Sequence, residues 1–322
     1  TANGPRLRFL ADTIIAITGA NLGATLDDKP IPGWQSFPVQ RDSVLGFEGR
    51  MDGFRSYIAC AGGIDVPMVM GSRSTYLRGG FGGFEGRALM AGDTLKTFRP
   101  RTSTVSERNV LPDNIMTEAI GHDHELRVVL GPQENAFSPD GISDFLSSEY
   151  TVSHDSDRMG YRLEGTSIEH TEEADIISDG TTLGSVQVPS DGQPIVLLAD
   201  RGTTGGYTKI ATVISPDISL LAQSSPGDTV RFKAVSISDS HKILEEHESL
   251  VEDVKRSIGL DRSGLFQLFV EGKSQSVVSD TGHAVTRRAS TPAENAIIET
   301  RTLATNDHIN QFEFEIEVLH SE

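Results

Sequence analysis

Hydrophobic residues over positions 1–240 come in short runs, each stopped by Gly, Pro, Asp or Ser. "TIIAITGA" (13–20) reads as a buried strand that halts at glycine. "SYIACAGGIDVPMVMG" (56–71) reads as a strand, a Gly-Gly turn and an extended X-Pro segment. "LRVVLGP" (126–132), "PIVLLAD" (194–200), "KIATVI" (209–214) and "DTVRFKAVSI" (228–237) are further short strands. Closely spaced strands with glycine turns predict a mainly β chain, closed or sandwiched, with few short helices. The period changes at 241–258, "HKILEEHESLVEDVKRSI". There Ile243, His247, Leu250, Val251, Val254 and Ile258 share one helical face. "LFQLFVEG" (265–272) and "QFEFEIEVLH" (311–320) return to strand, and the Ser/Thr/Ala-rich stretch between them reads as a loop. In 311–320, Phe312, Phe314, Ile316 and Val318 alternate strictly with glutamates. That strand could add to a neighbour's sheet edge, but packing within its own chain is the preferred reading.

Two echoes suggest organisation. "AGDTLKTF" (91–98) and "PGDTVRFKAV" (226–235) each put a small-residue turn before a strand. They hint at two related β domains with a seam near 99–122, although Gly-Asp turns are common and duplication stays open. "GFEGR" occurs at 46–50 and at 83–87, too short for a repeat, and both copies read as turns. The expected domains are 1–110, 111–240 and a helix-plus-strand extension over 241–322.

Charge narrows the partners. The 322 residues carry a formal net charge of −18, which disfavours nucleic acid or an anionic membrane as partner. No apolar run approaches the roughly 18 residues needed to span a bilayer, and no signal peptide is evident, so a cytoplasmic protein is expected. Cys60 is the single cysteine and lies in an apolar run, which reads as core. His122 and His124 are two apart, but a metal site needs three ligands at fixed spacing. A solvated inter-domain turn is the preferred reading there, with no metal assigned. No G-x-S-x-G elbow or P-loop occurs. The glycines of 78–87 lack a strand–helix context for dinucleotides.

One set of residues points to anion chemistry. Arg158 and Arg162 flank a Met-Gly break, Gln187 sits in a strand, and "DRGTTGGYTK" (200–209) ends on one of seven lysines, Lys209. Arginine supplies a planar fork for carboxylates and lysine a compact charge. Backbone N–H groups at Gly205 and Gly206, with Thr204 and Tyr207, could complete a cradle. The competing reading makes each arginine a surface ion-pair partner, the glycines a tight hairpin, and Lys209 a partner of an acid such as Asp200. Asp157 and Asp200 are the carboxylates nearest in sequence, and no general base stands out.

The motifs "TIIAITGANLGATLDDKPIPGWQSFPV", "YIACAGGIDVPMVMGSRSTYLRGGFGGFEGRALMAGDTL", "VVLGPQENAFS", "YTVSHDSDRMGYRLEG", "GSVQVPSDGQPIVLLADRGTTGGYTKIATVI" and "SPGDTVRF" together resemble the biotin-dependent carboxyltransferase family. That family includes the C subunit of 5-oxoprolinase (KipA-like), allophanate hydrolase subunit 2 and half of the urea carboxylase carboxyltransferase domain. The resemblance covers residues 5 to about 258 and implies a cyclophilin-like barrel in the half holding Arg158 to Lys209. It implies a component of an ATP-dependent complex that hydrolyses 5-oxoproline, a cyclic amide, to glutamate, with KipI-like and LamB/YcsF-like proteins as the partner subunits. Lys209 and Arg158 would then orient a carboxylate or stabilise oxyanion charge, with Thr204, Gly205, Gly206, Tyr207, Arg162 and Gln187 around the substrate. Alternatives are a carboxyltransferase for urea or a related amide, with biotin from another chain, and a non-catalytic regulatory binding protein. Three departures stand out. The family's opening Gln-Asp-x-Gly-Arg and Ser-Gly-x-Met-Asp motifs precede the point where this sequence starts. Its Gly-Gly-Tyr-Pro-Lys reads "GGYTK", and Gly202 replaces a glutamine. No Ala-Met-Lys-Met biotin-attachment motif occurs, so ATP and biotin are both expected elsewhere in a complex.

Overall fold

Alternating apolar residues become strands wherever both edges of the backbone find partners. The computed structural model describes residues 1–98, 121–257, 277–278, 284–285, 300–301 and 314–319. In the first part lie β1 (Arg6–Phe9), β2 (Thr13–Asn21), β3 (Ala24–Leu26), β4 (Lys29–Pro30), β5 (Gln35–Val39), β6 (Val44–Phe47), β7 (Asp52–Cys60) and β8 (Thr94–Thr97). Next come β9 (Asp123–Leu130), β10 (Glu149–Val152), β11 (Gly160–Glu164), β12 (Asp175–Gly180), β13 (Ser185–Gln187), β14 (Ile195–Leu197), β15 (Thr204–Tyr207), β16 (Lys209–Val213) and β17 (Thr229–Ala234). Two-residue strands β18 (Val277–Val278), β19 (Ala284–Val285) and β20 (Thr300–Arg301) precede β21 (Phe314–Leu319). The helices are α1 (Pro139–Ser147), α2 (Ile218–Gln223) and α3 (Ile237–Ser257).

Two sheets build the N-terminal half. One runs β4-β3-β6-β1-β21-β8 and the other β5-β2-β7. Leu7 and Phe9 of β1, and Ile15 and Ile17 of β2, are two apart and share a face, so both sheets bury side chains in one core with Val39, Leu45, Leu95 and Ile316. Ile316 pairs with Phe9 on one side and Leu95 on the other. The C-terminal strand is therefore a central strand of this sheet, with both edges taken, rather than an edge offered to a neighbour.

β10-β11-β14-β13-β16-β9-β17 close into a barrel, the expected fold. β9 and β17 pair in parallel and the other neighbours antiparallel. Its core holds Tyr150, Tyr161, Phe145 and Phe232. Helix α1, not anticipated from sequence, carries a readable start. Ser138 Oγ accepts the Gly141 N–H at 2.9 Å and Pro139 sits in the first turn. It buries Phe145 against Phe232, ring centroids 4.4 Å apart. Helix α2 ties the barrel to β7. Gln223 Oε1 accepts the N–H groups of Phe54 and Arg55, and its Nε2 donates to Arg55 O. Helix α3 starts earlier than expected because Ser236 Oγ accepts the Asp239 N–H, an N-cap the apolar periodicity could not show.

The chain clusters into Thr1–Leu250 with Phe312–Glu322, and Val251–Gln311. Strands β18, β19 and β20 form a three-stranded sheet where a loop was expected. Residues 99–120, Ile258 and the expected strand 265–272 lie outside the described residues. Among the described residues, no helix is long and apolar enough to cross a membrane.

Candidate functional site

The two-stranded arm β12–β15 covers the start of β16, and this decides the fate of Lys209. Its side chain is 3% exposed. Its Nζ donates to Asp179 Oδ2 at 2.7 Å and to Gly180 O at 3.1 Å. Gln133 braces the pair, accepting the Lys209 N–H and donating to Asp179. The Lys209 hydrogen bond holds the Asp179 carboxyl below the usual carboxylate range. Lys209 does not pair with Asp200. A backbone bond, Asp200 N–H to Arg158 O at 2.8 Å, already sets those two side chains together. Arg158 then grips Asp200 with Nε–Oδ2 at 2.9 Å and Nη2–Oδ1 at 3.0 Å. That bond holds the Asp200 carboxyl below its ordinary range.

Beside the arm a cavity of about 430 Å³ opens on the barrel. Four residues expected from sequence meet there: Arg162, Gln187, Thr204 and Tyr207. Gly205 makes room for Gln187, since a Cβ at 205 would lie 2.3 Å from Gln187 Nε2. Gly206 lies in the arm beside it. Arg158 and Lys209 do not line this cavity. Arg158 and Asp200 instead line a neighbouring cavity of about 770 Å³ whose walls include Leu77 and Phe84. Arg78, Asp157 and Met159 line both.

Asp155, Arg201 and Arg78 were not singled out from sequence. Arg201 is half-buried, donates from Nη1 to Leu198 O at 3.3 Å, and has a buried Nε with no hydrogen-bond partner among the described residues. Its one sequence signal is its place in the Asp-Arg-Gly turn that carried the anion argument. Asp157 spends Oδ1 on the N–H groups of Met159 and Gly160, which fixes the Met-Gly break. Thr208, where proline was expected, uses what proline lacks. Its N–H donates to Ala174 O at 3.0 Å and its hydroxyl lies 3.1 Å from His170 Nε2.

The two histidines are not one solvated turn. His122 lies at the surface with Nδ1 2.9 Å from Asp228 Oδ1, whereas His124 is buried in β9. Burial pushes His124 below the ordinary imidazole range, and its Nε2 has no hydrogen-bond partner among the described residues. Among the described residues, no group of three or more His, Cys, Asp or Glu side chains could hold a metal ion.

This architecture has counterparts. The C subunit of 5-oxoprolinase from Haemophilus influenzae is 35% identical over 255 residues, 79% of this chain and 80% of that one. Its namesake from Escherichia coli is 36% identical over 249 residues, 77% and 78%. The crystal structure of the Kluyveromyces lactis urea carboxylase aligns with a TM-score of 0.73 at 27% identity. That alignment covers 90% of this chain but only 28% of the urea carboxylase. The family model described as carboxyltransferase domain, subdomain A and B, matches residues 1–234. The match takes in the first eight strands and the whole barrel with its cavity of arginines and aspartates, and on that ground the chain belongs to the carboxyltransferase domain family.

Proposed function

We propose that this chain is the C component of an ATP-dependent 5-oxoprolinase complex and that the 430 Å³ barrel cavity receives 5-oxoproline. The observation that carries this reading is the match to two proteins of that name along nearly four-fifths of both partners. The cavity suits the substrate's chemistry. Arg162 and Arg201 offer forks for a carboxylate, Gln187 an amide for the lactam, and Thr204 and Tyr207 wall the space. Lys209 acts here as a positioning residue, because its bonds to Asp179 and Gly180 pin the arm that carries Thr204 and Tyr207. Arg158, locked to Asp200, borders the adjoining cavity. KipI-like and LamB/YcsF-like partners would supply ATP chemistry; one water is consumed in opening the ring C–N bond and a second as ATP becomes ADP and phosphate.

The test assembles the full chain with those two partners and follows glutamate release. Activity should require 5-oxoproline, ATP and this chain. It should fall tenfold or more in Arg162→Ala, the scale of losing a charged hydrogen bond. Lys209→Ala should lower it by loosening the arm. Undiminished turnover in both variants defeats the site assignment. A second reading, carboxyl transfer to a urea-like amide with biotin from another chain, draws on the urea carboxylase alignment. Avidin-sensitive bicarbonate fixation would select it.

A further inference from the structure

We infer that Arg78, from the N-terminal half of the chain, is the residue that makes the barrel cavity selective for an anion. The inference deepens the substrate site proposed above and rests on that reading for its natural ligand, though not for the anion itself.

Charge balance is the first ground. The barrel's own contribution to the cavity is Arg162 and Arg201 against Asp155 and Asp157, which cancel. A carboxylate entering a neutral site leaves water without a matching charge. Among the described residues, Arg78 is the only lining residue from outside the barrel half, and it supplies the one positive charge in excess. A small monoanion bearing an amide fits that balance: its charge meets the excess arginine, and its N–H can face an aspartate.

Availability is the second ground. Arg158, close by, is committed to Asp200 in a two-point bond. Arg78 forms no ion pair among the described residues. Its Nη1 donates to the Met159 sulfur, a weak acceptor, and its other donors have no hydrogen-bond partner among the described residues. Its charge contributes to holding the Asp200 carboxyl low, after the Arg158 bond, so it faces the place where both cavities meet.

Preorganisation is the third. Arg78 sits at the tip of a tight hairpin closed by the Tyr76 N–H to Phe81 O bond at 2.9 Å, with the two rings 5.4 Å apart. The following turn admits only glycine. Gly83 has φ +54, and a Cβ there would lie 1.8 Å from Thr75 Oγ1; Gly86 has φ +68, and a Cβ there would lie 2.2 Å from Gly80 O. These contacts define the backbone of the hairpin and turn from which the exposed Arg78 side chain reaches the cavity.

The test compares the wild-type chain with Arg78→Ala and Arg78→Lys in two assays. In the assembled complex, Arg78→Ala should raise KM for 5-oxoproline about tenfold, with kcat within about twofold, and Arg78→Lys should recover part of the loss. In the full chain alone, calorimetric titration with inorganic phosphate should show binding that weakens about tenfold in Arg78→Ala. A KM unmoved by Arg78→Ala overturns the inference, as does phosphate binding that ignores the substitution or is absent from the wild type. If the complex leaves 5-oxoproline intact while phosphate binding still depends on Arg78, the substrate reading falls and Arg78 stands.

Discussion

Two arginine–aspartate clamps in this protein are assembled from the same words and have different consequences. Each uses the arginine of a Gly-Phe-Glu-Gly-Arg pentapeptide and the aspartate of a Gly-Asp-Thr turn. Arg87 binds Asp93, six positions away, with Nη1–Oδ2 at 2.7 Å. Arg50 binds Asp228, 178 positions away, with Nη2–Oδ2 at 2.9 Å. The turns match in detail. Gly92 and Gly227 both have φ +91, and each aspartate accepts the N–H three residues before it at 2.7 Å, from Met90 and Ser225. Each then opens a strand, β8 or β17. Yet the first clamp closes a loop within the N-terminal half, whereas the second fastens that half to the barrel and gathers His122 as well. Identical local chemistry therefore serves a turn in one place and a seam in the other. The arginine-bearing segments differ accordingly: residues 83–87 are a turn as expected, but Gly46 and Phe47 of the first copy belong to β6.

That contrast is open to direct attack. The largest effect should come from Asp228→Ala. Its side chain is 6% exposed and holds Arg50, His122 and the Ser225 N–H. A loss of about 3 kcal/mol is expected in urea unfolding, accompanied by faster proteolysis between the halves. Arg87→Ala should shift the urea midpoint clearly less, because its partner stays in the same loop and water can replace the lost bond. Equal shifts for the two substitutions would erase the distinction between turn and seam.

The smallest and most discriminating effect is in pH. The Arg87 hydrogen bond, helped by the Met90 N–H, holds the Asp93 carboxyl at about 2. A depressed carboxylate stabilises above its ordinary pKa of 3.8 and loses that contribution only as pH falls toward 2. The seam should weaken sooner. His124 is held neutral by burial against the pull of Asp228, Asp123 and Asp52, so unfolding takes up a proton below the ordinary value of 6.5. Stability should therefore drop as pH falls below about 6.5, and His124→Gln should flatten that drop. A slope unchanged in His124→Gln would place the titration elsewhere.

Much of the candidate site was legible because several of its pieces are local. Thr204, Gly205, Gly206 and Tyr207 are consecutive, and a glycine pair beside a strand announces close backbone approach. Arg162 and Gln187 were singled out because forks and amides in short strands suit a carboxylated ligand, and the fold brings both to one cavity. Arg78 was not, because nothing near it in sequence says that a hairpin tip in the first half reaches a cavity in the second. Lys209 shows the reverse case. Its place among glycines left two readings, a cation for an anion site or a partner of an acid such as Asp200, but its partner Asp179 stands on a strand 30 positions earlier.

What the amino-acid sequence determined alone was the mainly β character, the positions of the long strands, the amphipathic helix and the family resemblance. All of these depend on alternation, turn chemistry and contiguous motifs, which act over a few residues. Tertiary structure decided the pairing of charges, the burial of Lys209 and His124, the central place of the C-terminal strand, and the gathering of arginines from both halves at one cavity. Those outcomes follow from which distant segments meet when the barrel closes, and Coulomb attraction between particular side chains is set by separation in space, with no regard to order along the chain.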